Sequence, residues 1–375
     1  MKVSVSQQDL AHGLSMVSRA VSPRSTLPVL ANVLIATDEG RIRLSATNLE
    51  LGISCWIKAV VEEDGSITIP ARTISDLVGT LPADRVEMSL NERTQTLNVR
   101  CGTNTTDIKG IDAQEYPPLP LPEKSGGMEL NVAEMKEMIQ QVAFAASSDE
   151  ARPVLQGVLT QIEGTAITMA ATDGFRISVR SSSVSNPTNR SISVIIPARA
   201  MNELARIATN GDATVSMSIP EGRGQVVFNL KDAELVSQLI EGNFPDYKVI
   251  IPRSYKTHTI LSTPNFQKAC RQAEIIARDG NNIVRLHIQP KEDGPGMVEL
   301  SATSEETGNS EVQIDANIDG DGLLIAFNVR YLREVLDVIK TPSVALETNA
   351  NNTPATVKPI GEDEFTHVIM PMHLG

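Results

Sequence analysis

Apolar residues recur at helical spacing three times along the chain, at positions i, i+3, i+4 and i+7. The three patterns begin at Ser6, Asn131 and Thr263, each of which can cap a helix N-terminus through its side-chain oxygen. The apolar positions are Leu10, Leu14 and Val17, then Met135, Met138, Ile139 and Val142, and finally Phe266, Cys270 and Ala273. The spacing predicts the same amphipathic helix three times.

A second helical pattern follows each of these, beginning near Ala71, Ala198 and Val329. The segments between the helices alternate polar and apolar residues and are bounded by turn residues, as in Thr37–Gly40 before Arg41–Leu44. Each part of the chain is therefore predicted to contain two helices with strands between and after them.

Short sequence matches show that these parts are repeats. The segments that end in Thr47, Thr172 and Thr303 are alike, and they lie 125 and 131 positions apart. Repeats of this length exclude a short-period solenoid, and each can bury its own core. We expect three copies of one α+β domain, with boundaries at 1–125, 126–253 and 254–375 where Pro, Gly and polar residues cluster.

Composition agrees with an ordinary globular protein of 375 residues, 41% apolar and 21% charged. No apolar run approaches the roughly 18 residues that span a membrane. The three cysteines are widely spaced and fit neither a disulfide framework nor a zinc site, so a cytoplasmic location is expected. The net charge of −13 disfavours a nucleic-acid partner if bulk charge alone is considered.

No catalytic motif occurs: the chain lacks a nucleophile elbow, a phosphate loop, HExxH and CxxC. Gly222–Gln225 is interpreted as a hairpin turn. Asp315–Gly320 matches half of a calcium loop, but Ala326 stands where the bidentate Glu is needed, so we expect an acidic turn there. We predict no metal, no cofactor and no catalytic residue, which favours a binding or scaffolding protein over an enzyme.

The chain resembles the β subunit of bacterial DNA polymerase III, the sliding clamp. The matching segments run in order along the whole sequence: Arg24–Leu30, Ile69–Arg72, Ala171–Gly174, Gly242–Tyr247, Phe327–Val329 and Val368–Met372. The resemblance implies a head-to-tail homodimeric ring that encircles duplex DNA without reading its sequence. Such a ring tethers the replicative polymerase, catalyses nothing, and needs a separate loader.

Simple geometry supports a dimer. A domain of this size has a radius of gyration of about 14 Å, hence a diameter of roughly 35 Å. Three such spheres in a ring leave a hole only about 5 Å wide, whereas six leave about 35 Å, enough for a duplex roughly 20 Å across. Three domains per chain therefore require two chains.

Two other interpretations stay open at this stage. A three-domain cytosolic adaptor that binds only proteins would suit the negative charge, and an enzyme would need a polar pocket that the sequence does not reveal. A ring, however, needs only its inner wall to be positive. The predicted helices carry many cations, which are either that wall or ordinary solvated helix faces: Arg19, Arg72, Lys136, Arg199, Arg206, Lys268, Arg271, Arg330 and Arg333.

Candidate DNA contacts come from the resemblance. It implies Arg24 and Arg72, together with the loop positions Asp149, Pro153 and Val154. In the best-known member of that family the loop carries a glutamine and two tyrosines, whereas here the Asp149 carboxylate would repel phosphate, and the side chains of Pro153 and Val154 cannot donate hydrogen bonds. The further cations that we expect to contact phosphate, with no base readout, are Arg152, Arg199 and Lys248.

The resemblance also implies a seam between the two chains. Thr106 and Ile108 of the first domain match one side, and Ile275 and Ile276 of the third domain match the other. Arg100 could face Glu305 or Glu306 across the seam and would orient the two chains. The alternative is that both isoleucines belong to the core of their own domain.

The apolar end of the chain predicts a partner-binding pocket. Termini are usually polar and frayed, and methionine suits grooves that accept several peptides. Gly174 would let a partner backbone approach closely, and Arg176 would offer charged donors at the rim. The resemblance implies docking of short peptides from the polymerase α subunit, the clamp loader and repair polymerases; the alternative is a plain interdomain core. The expected lining is Leu155, Thr172, Gly174, Phe175, Arg176, Ile177, Pro245, Val249, Ile250, Val368, Met370, Pro371 and Met372.

Overall fold

The computed structural model describes residues 1–22, 25–118, 127–209 and 211–373, with backbone only for 185–190. These residues form two compact units: Met1–Ala133 with Glu203–Leu239, and Glu134–Asn202 with Ile240–Gly375. The middle repeat is shared between the two, because some of its strands pair with the first repeat and others with the third. The helices are α1 Gln7–Val17, α2 Ala71–Thr80, α3 Val132–Val142, α4 Ala198–Ile207, α5 Thr263–Ala277 and α6 Val329–Val338.

Twenty-three strands are assigned within the described residues. In chain order they are β1 Lys2–Ser6, β2 Asn32–Asp38, β3 Arg41–Thr47, β4 Leu51–Lys58, β5 Val60–Glu63, β6 Ser66–Pro70, β7 Arg85–Asn91, β8 Thr96–Cys101, β9 Asn104–Lys109, β10 Met128–Asn131, β11 Gly157–Thr172, β12 Arg176–Pro197, β13 Thr214–Ser218, β14 Gln225–Asn229, β15 Ala233–Gln238, β16 Thr257–Ser262, β17 Ile283–Gln289, β18 Gly296–Ser304, β19 Gly308–Gly320, β20 Leu323–Asn328, β21 Ser343–Thr348, β22 Ala355–Pro359 and β23 Phe365–Ile369.

All six predicted helices are present, so the two helical patterns of each repeat are confirmed. Ser6 caps α1 by accepting a hydrogen bond from the N–H of Asp9 at 3.1 Å. The expected cap of α5 is wrong by one residue: Ser262 holds the cap position and Thr263 is the first helical residue. Thr263 is buried and its N–H donates to the carbonyl of Pro342, so tertiary contact decides where this helix begins.

The first unit contains two antiparallel sheets, in the strand orders β5-β1-β7-β8-β9 and β10-β13-β14-β15-β4-β3-β2-β6. Leu10 and Leu14 of α1 are buried, as are Ile42, Leu44 and Ile53 on the strands. Strand β9 pairs only with β8 among the described residues, so its outer edge carries unpaired backbone groups.

The second unit contains one ten-stranded sheet, in the order β11-β12-β23-β22-β21-β16-β19-β18-β17-β20. Its main core collects Phe266, Phe327, Leu332 and Phe365, all fully buried, from α5, β20, α6 and β23. Strand β19 pairs with β16 only from Ala316 onward, so its first half has a free edge opposite β18.

Two turn predictions have different outcomes. Gly222–Gln225 is a hairpin turn between β13 and β14, with positive φ at Gly222 and Gly224, as expected. The acidic turn at Asp315–Gly320 is wrong, because this segment is the second half of β19. Its alternate residues Ala316 and Ile318 pack towards the core, while Asp315, Asn317 and Asp319 are exposed, which is the period of a strand.

None of the helices in the described ranges is both long and apolar enough to cross a membrane.

Candidate functional site

A turn in the second unit builds one wall of a groove. The Thr172 hydroxyl donates to the carbonyl of Arg176 at 2.6 Å and accepts from the N–H of Gly174 at 3.0 Å. Asp173 Oδ1 accepts from the N–H groups of Phe175 and Arg176 at 2.9 and 3.1 Å. Gly174 has a φ of +96°, a conformation that side chains resist, so the turn needs glycine here.

The Arg176 side chain holds this turn against α6. Its Nε donates to Asp173 Oδ2 at 3.0 Å and its Nη1 to Glu334 Oε2 at 2.5 Å. Its Nη2 donates to the carbonyl of Phe144, and its guanidinium stacks 4.3 Å from the ring centre of Tyr331. Only 7% of Arg176 is exposed, so its donors are engaged inside the protein. The expectation that Arg176 offers donors at a rim is wrong. The carboxylates of Asp173 and Glu334 neutralise its charge, and these two groups and the carbonyl of Phe144 occupy its N–H donors.

Glu334 links this network to the helix surface. Arg330, four residues earlier on α6, donates from its Nε to Glu334 Oε1 at 2.8 Å. Burial opposes ionisation of Glu334, but the hydrogen bonds from Arg330 and Arg176 outweigh it and lower the pKa of this carboxyl. Glu334 therefore stays charged and shared between two guanidinium groups.

His367 lies beneath the same wall, fully buried on β23. Its Nδ1 lies 2.6 Å from the Ser178 hydroxyl, and its ring stacks on Phe144 with 5.5 Å between ring centres. Burial and the nearby charge of Arg176 lower the pKa of His367 well below 6.5, so the imidazole is neutral at physiological pH.

The groove has a volume of about 830 Å³, within the range of ligand-binding clefts. Its exposed apolar side chains include Phe175 at 58% and Val249 at 72% exposure, with Ile250 and Met370 beside them. The backbone N–H of Met370 donates to the carbonyl of Phe175 at 2.9 Å, which joins the chain end to the turn. An extended peptide with apolar side chains fits such a surface.

The structure brings eleven of the thirteen expected lining residues together around this groove. Pro371 and Met372 do not line it; the N–H of Met372 donates instead to the carbonyl of Ala326 on β20. Leu374 and Gly375 lie outside the described residues. The lining residues that sequence reasoning missed are Tyr247, Ile251, Pro252, Arg253, Ser254, Asn349, Thr353 and Pro354. Most of them continue the segment that begins at Pro245, and that adjacency was the available signal.

The described DNA-contact candidates are distributed over both units: Arg72 belongs to the first, and the others belong to the second. Arg72 on α2 is 94% exposed and lies 3.6 Å from Asp76. Asp149 accepts hydrogen bonds from the backbone N–H of Ala151 and from Arg152 Nε at 2.9 Å, and these two bonds lower the pKa of its carboxyl. The rest are placed as follows: Pro153, Arg199 and Lys248 are exposed, Val154 packs partly against a buried cluster, and Arg24 lies outside the described residues.

The helix cations are largely paired with nearby acids. Within the described residues, the six α-helices carry eight Lys or Arg and eight Asp or Glu residues, so the net charge of −13 lies elsewhere. The pairs include Arg19–Glu203, Arg206–Glu203, Arg271–Asp337, Arg333–Glu274 and Arg330–Glu334. These surfaces are neutral rather than strongly basic, which suits weak and salt-dependent contact with phosphate.

The expected seam residues differ in exposure. Thr106 is exposed on the free strand β9, whereas Ile108 beside it is buried in its own unit. On α5, Ile275 is 57% exposed, and Ile276 packs partly against the core of the second unit. Arg100 on β8, Glu305 and Glu306 are exposed.

The groove turn has a counterpart in the first unit. Thr47 donates to the carbonyl of Leu51 at 3.0 Å, and Asn48 Oδ1 accepts from the N–H groups of Glu50 and Leu51. The N–H of Gln238 donates to the carbonyl of Glu50 at 2.8 Å, as that of Met370 does to Phe175. In both units, the strand after the turn then pairs with the last strand of the next repeat: β4 with β15, and β12 with β23.

The third repeat has the turn without the partner strand. Ser304 accepts from the N–H groups of Glu306 and Thr307 at 3.2 Å, and β19 begins at Gly308. No strand of the described residues pairs with the outer edge of β19 from Gly308 to Asp315.

Among the described residues, no group of three or more His, Cys, Asp or Glu side chains could hold a metal ion. The cysteines are free and buried, and burial raises the pKa of Cys55 to about 12.

Comparison with known proteins identifies similar chains over the full length. Sequence profiles of the DNA polymerase III beta subunit match in three parts: its N-terminal domain at residues 1–120, its central domain at 129–246 and its C-terminal domain at 248–373. The beta sliding clamp of Synechococcus elongatus is 33% identical over 378 residues, covering 100% of both chains. That of Staphylococcus aureus strain N315 is 31% identical, covering 99% of both.

Solved structures agree with the sequence matches. The DNA polymerase sliding clamp from Bacillus subtilis superposes with a TM-score of 0.93 at 29% identity, over 100% of both chains. The beta subunit from the DNA polymerase of Streptococcus pyogenes gives 0.92 at 25% identity, also over 100% of both. The expected three-domain α+β fold is thereby confirmed.

Proposed function

This chain belongs to the DNA polymerase III beta subunit family, the beta sliding clamps, and from that membership we propose that two copies close head to tail into a ring around duplex DNA. The observation that carries this proposal is the free outer edge of β19. We call the pairing of the strand after each turn with the last strand of the next repeat a strand junction: β4 with β15, and β12 with β23. The third junction has β19 but no partner strand among the described residues, and β9 of a second copy can supply that strand. A second identical junction then closes the ring, because the interface is head to tail and only two copies are needed.

The repeat sets the register of the intermolecular pair. Leu51 lies opposite Ser237 in the first junction, and Arg176 lies opposite Ile369 in the second. Thr47 pairs with Gly52, Thr172 with Ile177 and Thr303 with Asn309, so Gly308 takes the place of Leu51 and Arg176.

The partner side of the register follows in the same way. The N–H of Gly110 donates to Gln95 as that of Leu239 donates to Gly224, both at 2.8 Å, so Ile108 takes the place of Ser237. Gly308 of one copy then lies opposite Ile108 of the other, and Ser310 lies opposite Thr106. This register places Glu306 beside Lys109 of the other copy. It also aligns Glu311 with Thr105, the residue that pairs with Arg100 on the neighbouring strand. Arg100 is thus nearer to Glu311 than to Glu305 or Glu306, the partners that the sequence suggested.

Ile275 supplies the apolar contact of the same seam. It lies 131 positions after Phe144, the spacing of the second and third repeats. Phe144 packs partly buried against the core residues of the third repeat. Ile275 occupies the equivalent place in the third repeat and is 57% exposed, so we infer that it packs on the first repeat of the second copy.

A disulfide tests the register directly. Opposed residues in a non-hydrogen-bonded antiparallel pair lie about 4.5 Å apart at Cα, within reach of a disulfide. Thr106→Cys with Ser310→Cys should give a covalent dimer under oxidation, because the native cysteines are buried. Thr106→Cys with Val312→Cys, two residues out of register, is the matched control. Equal cross-linking of both pairs, or of neither, would refute the register.

For DNA, we propose loose phosphate contact by Arg24 and by the exposed cations Arg72, Arg152, Arg199 and Lys248, with Asp149, Pro153 and Val154 in the loop that carries Arg152. The near-neutral helix faces support weak contact, which lets a ring slide. Loaded protein should stay on a closed circular plasmid and leave once the plasmid is cut. Equal retention on cut and closed DNA would favour ordinary DNA binding, and no retention would favour the protein-only adaptor.

We further propose that the groove docks extended apolar peptides of the polymerase α subunit, the clamp loader and repair polymerases, in the cytoplasm and without catalysis or cofactor. The domains are taken as 1–125, 126–253 and 254–375. Val249→Asp places a charge on the most exposed apolar wall residue and should abolish peptide binding while DNA retention persists. The matched control is Val60→Asp, an equally simple change on strand β5 of the first unit, which should leave peptide affinity unchanged.

A further inference from the structure

The charges that line the groove are few and of one sign. Its lining includes two cations, Arg176 and Arg253, and no Asp or Glu. Arg176 is buried and its donors are engaged by Asp173, Glu334 and the carbonyl of Phe144. Arg253 is exposed, and no acidic partner for it is found in the described parts of the chain. The groove therefore presents one available guanidinium.

The segment that carries Arg253 is basic against an acidic background. Residues 247–256 contain Lys248, Arg253 and Lys256 and no acid, in a chain whose net charge is −13. The nearest acid before it, Asp246, accepts from the backbone N–H of Lys248 at 3.2 Å. The local field at this side of the groove therefore attracts anions.

The end of the groove around Arg253 is polar and structurally supported. Asn349 Nδ2 donates to the carbonyl of Ser254 at 2.8 Å, which ties the residue after Arg253 to the loop that follows β21. Thr353 stabilises that loop by bonding both the N–H and the carbonyl of Ala350. The apolar side chains Val249, Ile250 and Met370 lie among the other lining residues. The groove thus offers apolar contacts and a cation to the same ligand.

We propose that Arg253 selects partner segments that carry a carboxylate beside their apolar anchors. The inference rests on the proposed peptide groove and specifies its ligand chemistry: an extended acidic peptide. An arginine fork binds a carboxylate through two parallel hydrogen bonds, and a partner lacking the acid forgoes them. The rim charge adds selectivity and association rate more than affinity, because the site is open to solvent.

A random dodecapeptide display library tests the ligand class. Wild-type protein should enrich peptides with apolar residues and Asp or Glu nearby, Arg253→Lys should keep that preference, and Arg253→Glu should replace it with Lys or Arg. Val249→Asp marks which enriched peptides depend on the groove. Groove-dependent peptides without acid enrichment would overturn the role of Arg253, whereas no groove-dependent peptide at all would overturn the proposed groove.

Affinity measurements then give the size of the effect. The most enriched acidic peptide, labelled with fluorescein, should bind Arg253→Glu about three- to tenfold more weakly at low salt, with the difference shrinking as salt rises. Its Asn or Gln analogue should bind wild type and variant equally. If Arg253→Glu weakened the retention of protein on circular DNA and left peptide affinity intact, Arg253 would be a phosphate contact and the proposal would fail.

Discussion

Glu234 places a carboxylate where water hardly reaches it. It lies on β15 opposite Ser54 of β4 and is only 4% exposed. Burial raises the pKa of Glu234 to about 7, although the nearby charge of Arg43 opposes the rise. In the unfolded chain the same carboxyl titrates near 4.5. Between these two values the folded protein binds more protons than the unfolded protein.

The sign and size of the effect follow from that difference. Stability falls as pH rises wherever the folded state binds the extra proton, so the free energy of unfolding should fall from about pH 4.5 to pH 7 and then level off. A difference of about 2.5 pKa units corresponds to about 3 kcal/mol. Glu234→Gln keeps the shape of the protonated acid and cannot ionise. The variant should match the wild type at pH 4 and exceed it by about 3 kcal/mol at pH 8.

The chain carries its own reporter for this measurement. Trp56, the single tryptophan, lies on β4, and its backbone N–H donates to the carbonyl of Asp232, two residues before Glu234. Urea unfolding followed by tryptophan fluorescence, at one protein concentration from pH 4 to pH 8, reports on this sheet. Asp232→Asn, an exposed acid on the same hairpin, is the control. A stability difference between Glu234→Gln and wild type that stays constant with pH would refute the reasoning.

Three further outcomes are expected. The second unit should lose stability as pH falls below about 6.5, by up to about 1.4 kcal/mol per pH unit, because the unfolded imidazole of His367 binds a proton while its pKa in the folded protein is depressed. Amide exchange of β23 measures this loss, and in His367→Gln the loss with falling pH should be smaller. Ile275→Lys should give folded monomers in sedimentation velocity, whereas Ile276→Ala should keep the dimer and lose about 1–3 kcal/mol of stability, because Ile276 packs on the core. Arg72→Ala should reduce the slope of log DNA affinity against log salt concentration by about one, the contribution of one phosphate contact. An unchanged slope would show that Arg72 does not contact phosphate.

Much of the fold was determined by local sequence. The helices repeat because apolar residues recur at helical spacing, and the turns at Thr47 and Thr172 repeat because a side-chain oxygen two to four residues away bonds the backbone. Such interactions involve neighbours in sequence and are therefore readable from it. Most of the expected groove lining also came together in the structure, because the resemblance extends along the whole chain and preserves the order of its segments.

The fate of individual charges was decided only by tertiary structure. Arg176 reads as a surface donor in the sequence, yet its partner Glu334 is 158 residues away and buries it. Asp315–Gly320 reads as a turn, yet pairing with β18 and β16 makes it a strand. Arg253 lies outside the segments that resemble the family, and it is available because no Asp or Glu is among the described residues that line the groove. Whether a charge is exposed, paired or buried depends on which distant elements pack against it, and that contact is made by the folded chain and not by the order of its residues.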